Sequence, residues 1–365
     1  VSLTRIGIGG ERPYEVVVGH GAGGELPSLV GPEARTVVVI HPAGLGDLAR
    51  PALHALRQAG YLVHAEPIPD GEAAKDIAVA AGLWSRLAAH RVTRSDAIVG
   101  LGGGAATDLA GFTAATWLRG VRLVLMPTTL LAVVDAAVGG KTAVNIAEGK
   151  NLVGAFYPPA GVVADLDTLA ALPRAEYVSG LAEVIKAGFI ADPVILELIE
   201  ADPERAAQPG GPHERELIER AVRVKAAVVT ADLREAGPRE MLNYGHTFGH
   251  AIERAEGYQI RHGAAVAIGM VYAAAVARRA GRLDAATGER HRAILAAAGL
   301  PTGYRARAWP ELREGMAVDK KSRASRLRLV VLDGLARPGI LDDPPEDLLE
   351  RAYADVSERE GKVAG

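Results

Sequence analysis

Apolar residues follow two different rhythms along the chain, and the change of rhythm divides it. In the first half, short uninterrupted apolar runs at Val16–Val18, Val37–Ile40, Ala97–Leu101 and Leu123–Met126 predict buried strands. Stretches with helical spacing separate them, notably Glu72 to His90 and Asp108 to Leu118, and a further strand is expected at Val162–Ala164. Strands alternating with helices imply a mainly parallel sheet with crossover helices. After Leu172-Pro173 the rhythm changes. From Arg174 to about Ala298 the sequence is Ala-rich and helical in period, interrupted by a Pro- and Gly-containing loop at Asp202 to Pro212. A short strand is expected at Leu327–Leu332, and a helix from Glu350 runs out into a polar tail. The predicted fold class is α/β: an N-terminal, mainly parallel α/β nucleotide-binding domain over 1-172, then a mainly helical domain over 173-365. A ligand cleft is expected between the two.

Composition narrows the chemistry. Aromatics make up only 4% of the residues, so the cores rest on Ala, Val, Leu and Ile. The hydrophobic and charged fractions, 49% and 23%, are those of a soluble globular protein. A formal net charge of −3, with both signs dispersed, speaks against a nucleic-acid-binding face but leaves room for local cations around a small anion. The chain has no cysteine, which excludes disulfides, thiolate nucleophiles and Cys-ligated metals, so a metal would have to sit on His, Asp, Glu or water. Val1 to Gly10 lacks the apolar centre of a signal peptide, and no uncharged apolar run approaches a membrane span. A cytoplasmic enzyme without membrane contact is expected.

Three segments carry candidate chemistry. Gly102-Gly103-Gly104 follows a strand and leads into a helix near Asp108, where free N–H groups at a helix start favour phosphate oxygens. It reads as a pyrophosphate cradle or as a tight strand-to-helix turn, and Thr107 stands where a dinucleotide fingerprint would have its last Gly. Asp70-Gly71-Glu72-Ala73-Ala74-Lys75 lies at another such turn; Glu72 and Lys75 could share a face, with the acid on ribose hydroxyls, or simply be a solvated helix start. Gly139-Gly140-Lys141-Thr142 imitates the end of a P-loop, but Asp135 occupies the position of that loop's first Gly, which argues against an ATPase.

Beyond these, the most informative stretch is Asn243-Tyr244-Gly245-His246-Thr247-Phe248-Gly249-His250. His246 and His250 are four apart on a predicted helix and so share a face, and His262 opens the next helix. Glu183 stands upstream beside Lys186. One Glu and two or three His could form a zinc site with an open position; alternatively these are hydrogen-bonded His such as any chain contains. By spacing alone, His246 and His250 would be the metal pair.

Taken in order, the motifs resemble the 3-dehydroquinate synthase family over nearly the full length. They are Gly102-Gly103-Gly104 with Asp108, Arg119-Gly120, Pro127-Thr128-Thr129-Leu130-Leu131, and Val134-Asp135 through Gly139-Gly140-Lys141-Thr142. Gly149-Lys150-Asn151-Leu152, Gly180 through Lys186, Asn243 through His246, His262-Gly263 and Asp319-Lys320-Lys321 complete the set. The resemblance implies zinc, with cobalt as the other candidate, on Glu183, His246 and His262, and it moves His250 to the substrate's phosphate. It implies NAD on Asp70, Glu72, Lys75, Gly103, Gly104, Ala105, Ala106, Thr107, Asp108, Thr128, Thr129, Lys141, Lys150 and Thr168. Catalytic positions match Asp135, Lys141, Lys186, Glu235, Arg239, Asn243 and His250, and further substrate contacts match Arg119, Lys150, Asn151, Lys225 and Lys320. Arg119 is expected to reach into the site of a partner subunit in a homodimer. Two positions depart from the family pattern, Ala171 for a frequent Thr and His41 for a frequent Asp, and both touch cofactor contacts.

The reaction implied by the resemblance starts from a small sugar-acid phosphate, 3-deoxy-D-arabino-heptulosonate 7-phosphate. Oxidation at C5 by NAD, with zinc polarising the carbonyl, acidifies C6; phosphate leaves; the hydride returns; the ring opens and recloses as 3-dehydroquinate. NAD is regenerated, so the enzyme is a lyase. Competing readings are another sugar-phosphate cyclase, a metal-dependent alcohol dehydrogenase of the glycerol dehydrogenase kind, and a non-catalytic NAD-binding scaffold.

Overall fold

The apolar runs at Val37–Ile40 and Ala97–Leu101 lie side by side in a seven-stranded sheet of the computed structural model. The structure describes residues 2–235, 237–322 and 326–358, with the backbone alone at 318–322 and 358. Its strands are β1 (Thr4–Ile8), β2 (Tyr14–Gly19), β3 (Thr36–Pro42), β4 (Leu62–Ile68), β5 (Ala97–Gly102) and β6 (Arg122–Pro127). A hairpin of β7 (Lys141–Ile146) and β8 (Gly149–Phe156) precedes β9 (Gly161–Asp165). The sheet order is β1-β2-β9-β6-β5-β3-β4; β1 is antiparallel to β2 and the remaining pairs are parallel. Helices α1 (Leu26–Val30), α2 (Gly46–Gln58), α3 (Ile77–Ala89) and α4 (Gly104–Thr116) connect the strands. Val17, Val37, Val39, Val99 and Val163 pack with Ala49, Leu53 and Leu56 of α2 in one core cluster.

Several elements escape the apolar pattern for physical reasons. β4 is an edge strand whose His64, Glu66 and Pro67 interrupt any apolar run, and β8 is largely exposed. The helix expected from Glu72 begins only at Ile77. Gly71–Lys75 forms a separate 3-10 turn, and Asp76 caps α3 by accepting a hydrogen bond from Ala78 N at 2.7 Å. The helix expected from Asp108 begins a full turn earlier, at Gly104, and ends at Thr116. β3 feeds β4 on one side of the sheet while β5 lies on its other side, so the ends of β3 and β5 mark the switch point where such sheets bind ligands. Gly102 closes β5 at φ 144°, and a Cβ there would stand 2.8 Å from Ala106 Cβ and 2.9 Å from Pro42 Cδ. A side chain has no room at this point.

Two units cluster within the chain: Val1–Leu172 with Lys225–Arg234, and Pro173–Val224 with Glu235–Gly365. The expected domain 173-365 therefore cedes one segment to the first unit. The remaining helices are α5 (Arg174–Ile190), α6 (Val194–Ala201), α7 (Pro203–Ala206), α8 (Glu214–Ala231), α9 (His246–Ala255), α10 (His262–Arg279), α11 (Ala285–Ala297), α12 (Trp309–Ser322) and α13 (Glu346–Val356). The short α7 falls where a loop is expected, and α13 starts ahead of the predicted Glu350. Arg328–Leu332 forms the expected strand and pairs antiparallel with Pro338–Asp342. Among the described residues, no helix is long and apolar enough to cross a membrane.

α5 is buried from Tyr177 to Ile190, and α10 is buried along most of its length, so both are core helices. They approach closely at Gly263, which donates its N–H to Ser179 Oγ at 3.0 Å. A Cβ on Gly263 would lie 2.0 Å from Ser179 O. Gly263→Ala is expected to lower unfolding free energy by about 1–3 kcal/mol, the usual result of overpacking a rigid contact. Gly46→Ala, where nothing stands within 4 Å, should leave the protein nearly unchanged. Urea unfolding of both variants checks this, and an unshifted midpoint for Gly263→Ala would contradict the packing described.

Candidate functional site

In the second unit, α5 carries Glu183 and Lys186 on one face, three residues apart. Glu183 is 4% exposed. Its Oε2 is paired with Lys186 Nζ, whereas its Oε1 is buried and receives no hydrogen bond. His246 Nε2, from the first residue of α9, stands 3.6 Å from that oxygen; His262 Nε2, from the first residue of α10, stands 3.4 Å away. The three side chains offer ligand atoms within 4.8 Å of one another. Each imidazole's other nitrogen is occupied: His246 Nδ1–H donates to Tyr244 O at 3.3 Å, and His262 Nδ1–H to Glu253 Oε1 at 3.2 Å. Both Nε2 atoms thereby face the orphaned carboxylate oxygen. Outer partners of this kind fix the ring orientation of metal-bound His. Two nitrogens and one oxygen with open positions suit zinc.

The electrostatics agree with a cation site. Burial opposes a charge on Glu183, but Lys186, His246 and His262 hold its carboxyl well below the usual range. Burial, followed by Lys186, keeps His246 well below the usual imidazole value and hence neutral. Burial also works against a charged His262, yet Glu183 and Glu253 push it up to about 10.

His250 sits one turn beyond His246, edge-on to its ring at 5.4 Å, but it is exposed and outside the cluster. Helical spacing identifies a shared face; α5 and α10 decide which His meets the carboxylate. Arg239, 2% exposed, lies in the 3-10 turn Pro238–Asn243. Asn243 Nδ2 donates to Glu235 Oε1 at 2.7 Å. The Lys320 side chain lies outside the described residues. Tyr244 and Glu253 were not singled out from the sequence. Glu253 is seven residues beyond His246 on α9, a same-face spacing that could have flagged it.

In the first unit, the cofactor candidates gather at the carboxyl ends of the parallel strands. α4 starts inside the glycine loop, so the N–H groups of its first turn face the end of β5. Thr128 N donates to Gly102 O at 2.9 Å, and Thr129 Cγ2 would be 3.2 Å from a Cβ on Gly103. Thr107 Oγ1 turns back to Gly104 O at 2.9 Å; Ala105 and Ala106 complete the helix's opening turn. Asp70 Oδ1 accepts from Gly44 N, after β3, at 3.0 Å. Thr168 is buried after β9 with its Oγ1 on Asp165 O at 2.7 Å. His41 is also buried, its Nδ1 on Pro42 O at 2.8 Å, and Ala171 ends the turn Leu166–Ala171.

Glu72 and Lys75 diverge instead of sharing a face. Lys75 is buried, pairs with Asp108 Oδ2 at 2.6 Å and donates to Asn151 Oδ1. Burial outweighs this Lys and pushes the Asp108 carboxyl up to about 6, although the side chain as a whole is 21% exposed. Glu72 Oε1 accepts from Asn145 Nδ2 at 2.6 Å and lies 3.8 Å from Lys150 Nζ. Lys141 opens a strand, whereas the lysine of a P-loop opens a helix. Asp135 lies on the π-helical turn Ala132–Ala136, and Lys225 Nζ, 8% exposed as a residue, donates to its backbone O at 2.5 Å and pairs with its carboxylate. Arg119 is exposed on a strained turn, where Leu118 and Arg119 adopt φ 49° and 66°.

Comparison with known proteins bears on the whole chain. The family model described as 3-dehydroquinate synthase N-terminal matches residues 65–179, and that described as 3-dehydroquinate synthase C-terminal matches 180–322. The 3-dehydroquinate synthase of Thermobifida fusca (strain YX) is 66% identical over 358 residues, covering 98% of this chain and 97% of its own. Among solved structures, 2-deoxy-scyllo-inosose synthase complexed with carbaglucose-6-phosphate, NAD+ and Co2+ is similar with a TM-score of 0.86 at 28% identity, over 97% of this chain and 100% of that one. The 2-epi-5-epi-valiolone synthase of Streptomyces hygroscopicus subsp. jinggangensis 5008, with NAD+ and Zn2+ bound, has a TM-score of 0.85 at 26% identity, over 97% and 99%.

The geometry makes a sharp distinction between two helix His. His246→Ala and His262→Ala are expected to purify with little metal, whereas His250→Ala should keep close to one metal ion per chain. Elemental analysis of the three variants decides it; loss from His250→Ala with retention by His262→Ala would overturn the ligand set.

Proposed function

The chain belongs to the 3-dehydroquinate synthase family, and from that premise we propose that it converts 3-deoxy-D-arabino-heptulosonate 7-phosphate to 3-dehydroquinate and phosphate. It is an NAD- and metal-dependent carbon–oxygen lyase. The observation that carries the reading is the buried Glu183 Oε1, which has no donor of its own and faces two imidazole nitrogens. The 26–28% identity to cyclases acting on other sugars falls far below the 66% to a 3-dehydroquinate synthase, which favours the heptulosonate as substrate.

When bound, the metal on Glu183, His246 and His262 supplies Lewis acidity toward vicinal oxygens. NAD, held by the glycine loop, Asp70, Glu72, Lys75, Asp108, Thr128, Thr129, Lys141, Lys150 and Thr168, supplies a transient hydride acceptor. The residues of the chain set the rest. Lys186 holds Glu183 ionised and brings a buried cation to the metal's side. Lys225 is fixed by Asp135 and Arg239 is buried, so both present their charge with few alternative rotamers to the substrate's carboxylate or phosphate. His250, Asn243, Lys141, Lys150, Asn151 and Lys320 complete the polar reading of the sugar, and Glu235 orients Asn243. The substrate carries a carboxylate and a phosphate, and these Lys and Arg residues supply the cations that binding it requires of a mildly acidic protein.

The redox balance fixes a stoichiometry. Turnover should release phosphate with only catalytic NAD present and accumulate no NADH, followed by phosphate assay and absorbance together. One NADH per phosphate would make the protein a simple dehydrogenase instead.

The proposal includes a cytoplasmic homodimer in which Arg119 serves the partner's phosphate site. What supports it is the exposure of Arg119 on a turn whose left-handed backbone is costly to maintain without a purpose. Arg119→Ala should lose activity while keeping NAD and metal. Mixed with Lys186→Ala, it should regain activity after subunit exchange, because in a two-fold dimer one site then carries both lesions and the other neither. Demonstrated exchange without recovery would confine Arg119 to its own subunit.

A further inference from the structure

His291, on α11, is fully buried, and no part of the chemistry above uses it. Its Nδ1 lies 2.7 Å from Thr287 O, an atom that can only accept, so Nδ1 carries the proton. Nε2 is then an acceptor, and Tyr244 Oη–H donates to it at 2.8 Å. Burial keeps this imidazole neutral by lowering its pKa to about 4, in keeping with that pattern of bonds. One ring face stacks on Phe189 at 3.5 Å, with the planes 11° apart. Phe189 belongs to α5, the helix that bears Glu183 and Lys186.

Tyr244 is itself fully buried. Its backbone carbonyl takes the Nδ1–H of His246, and that bond leaves His246 Nε2 unprotonated toward Glu183. The side chain and the carbonyl of one residue thus join His291 to a metal-ligating imidazole. We propose that His291 is a positioning residue: through Tyr244 it fixes the orientation and tautomer of His246. The inference rests on the reading of Glu183, His246 and His262 as the metal site. His291 ties two parts of that site together, α5 by stacking on Phe189 and the Tyr244 turn by a hydrogen bond, while its bond to Thr287 O fixes the ring on its own helix.

The test uses the full-length protein and zinc affinity measured by competition with a chromophoric chelator. His291→Phe keeps an aromatic ring against Phe189 and removes the acceptor. Tyr244→Phe removes the donor and leaves the carbonyl in place. In the first variant the Tyr244 hydroxyl retains a weaker acceptor, Met270 O at 3.4 Å, which favours a folded product. Each variant is expected to bind zinc about 10–100-fold more weakly, the usual effect of losing an outer partner of a metal-bound His. The double variant should be no worse than the poorer single one, because both remove the same bond. His291→Gln, whose amide can supply an acceptor at the Nε2 position, should recover part of the affinity. The visible spectrum of the cobalt-loaded protein should shift in His291→Phe and return toward wild type in His291→Gln, while NAD affinity stays unchanged in all of them. A folded His291→Phe or Tyr244→Phe protein with wild-type zinc affinity and cobalt spectrum would overturn the proposal, even if its melting temperature fell. If the wild-type protein itself failed to bind zinc or cobalt, the metal-site reading would be what failed.

Discussion

Burying a carboxylate oxygen with no hydrogen-bond donor is among the costlier things a fold can do. Glu183 Oε1 is in that position, and much of the second unit reads as the arrangement that makes it tolerable. Lys186 neutralises the other oxygen from the next turn of the same helix. Two helices begin at the spot, each with a His at its first residue, and each His has its far nitrogen tied so that the near one points inward. The apolar burial of α5 and α10 is the packing that brings Glu183 and His262 together, and Gly263 permits it because no larger residue fits beside Ser179. A divalent cation would complete the set by giving the orphaned oxygen a partner.

The first unit gathers, at the carboxyl ends of its strands, backbone and side-chain groups suited to an anionic cofactor. Gly102 lets the end of β5 meet the end of β3, and α4 starts immediately beyond it. The buried Lys75 links Asp108 to Asn151 of the β7–β8 hairpin, so the helix start, the 3-10 turn and the hairpin share one polar network. A carboxyl near 6 within that network is a consequence of desolvation working against a single lysine.

What the sequence made legible follows from what pattern can encode. Strands buried on both faces stand out as nearly unbroken apolar runs, so β2, β3, β5, β6 and β9 are legible from their Val, Ile, Leu, Ala and Met residues. β4 and the β7–β8 hairpin are not, because one is an edge strand carrying His and Glu and the other is half-exposed and stabilised by polar contacts between residues far apart in sequence. The candidate metal ligands show the same limit. The spacing of His246 and His250 is visible on paper, but the choice between them depends on α5 and α10, whose approach is tertiary. Glu183 and His262 enter the candidate set by residue type, and only the ordered family motifs set them above His250. Of the two residues that aim the imidazoles, Tyr244 lies within the Asn243 to His246 motif, where nothing marks the role of its carbonyl, and Glu253 belongs to no motif.

Anomalous diffraction from a zinc-soaked crystal, collected on both sides of the zinc edge, tests the central claim most directly. The account predicts one strong peak per chain, about 2.0–2.2 Å from Glu183 Oε1 and the Nε2 atoms of His246 and His262, with His250 outside bonding distance. A peak bonded to both His246 and His250 but not to Glu183, or no peak at the carboxylate in a crystal that binds zinc elsewhere, would contradict it.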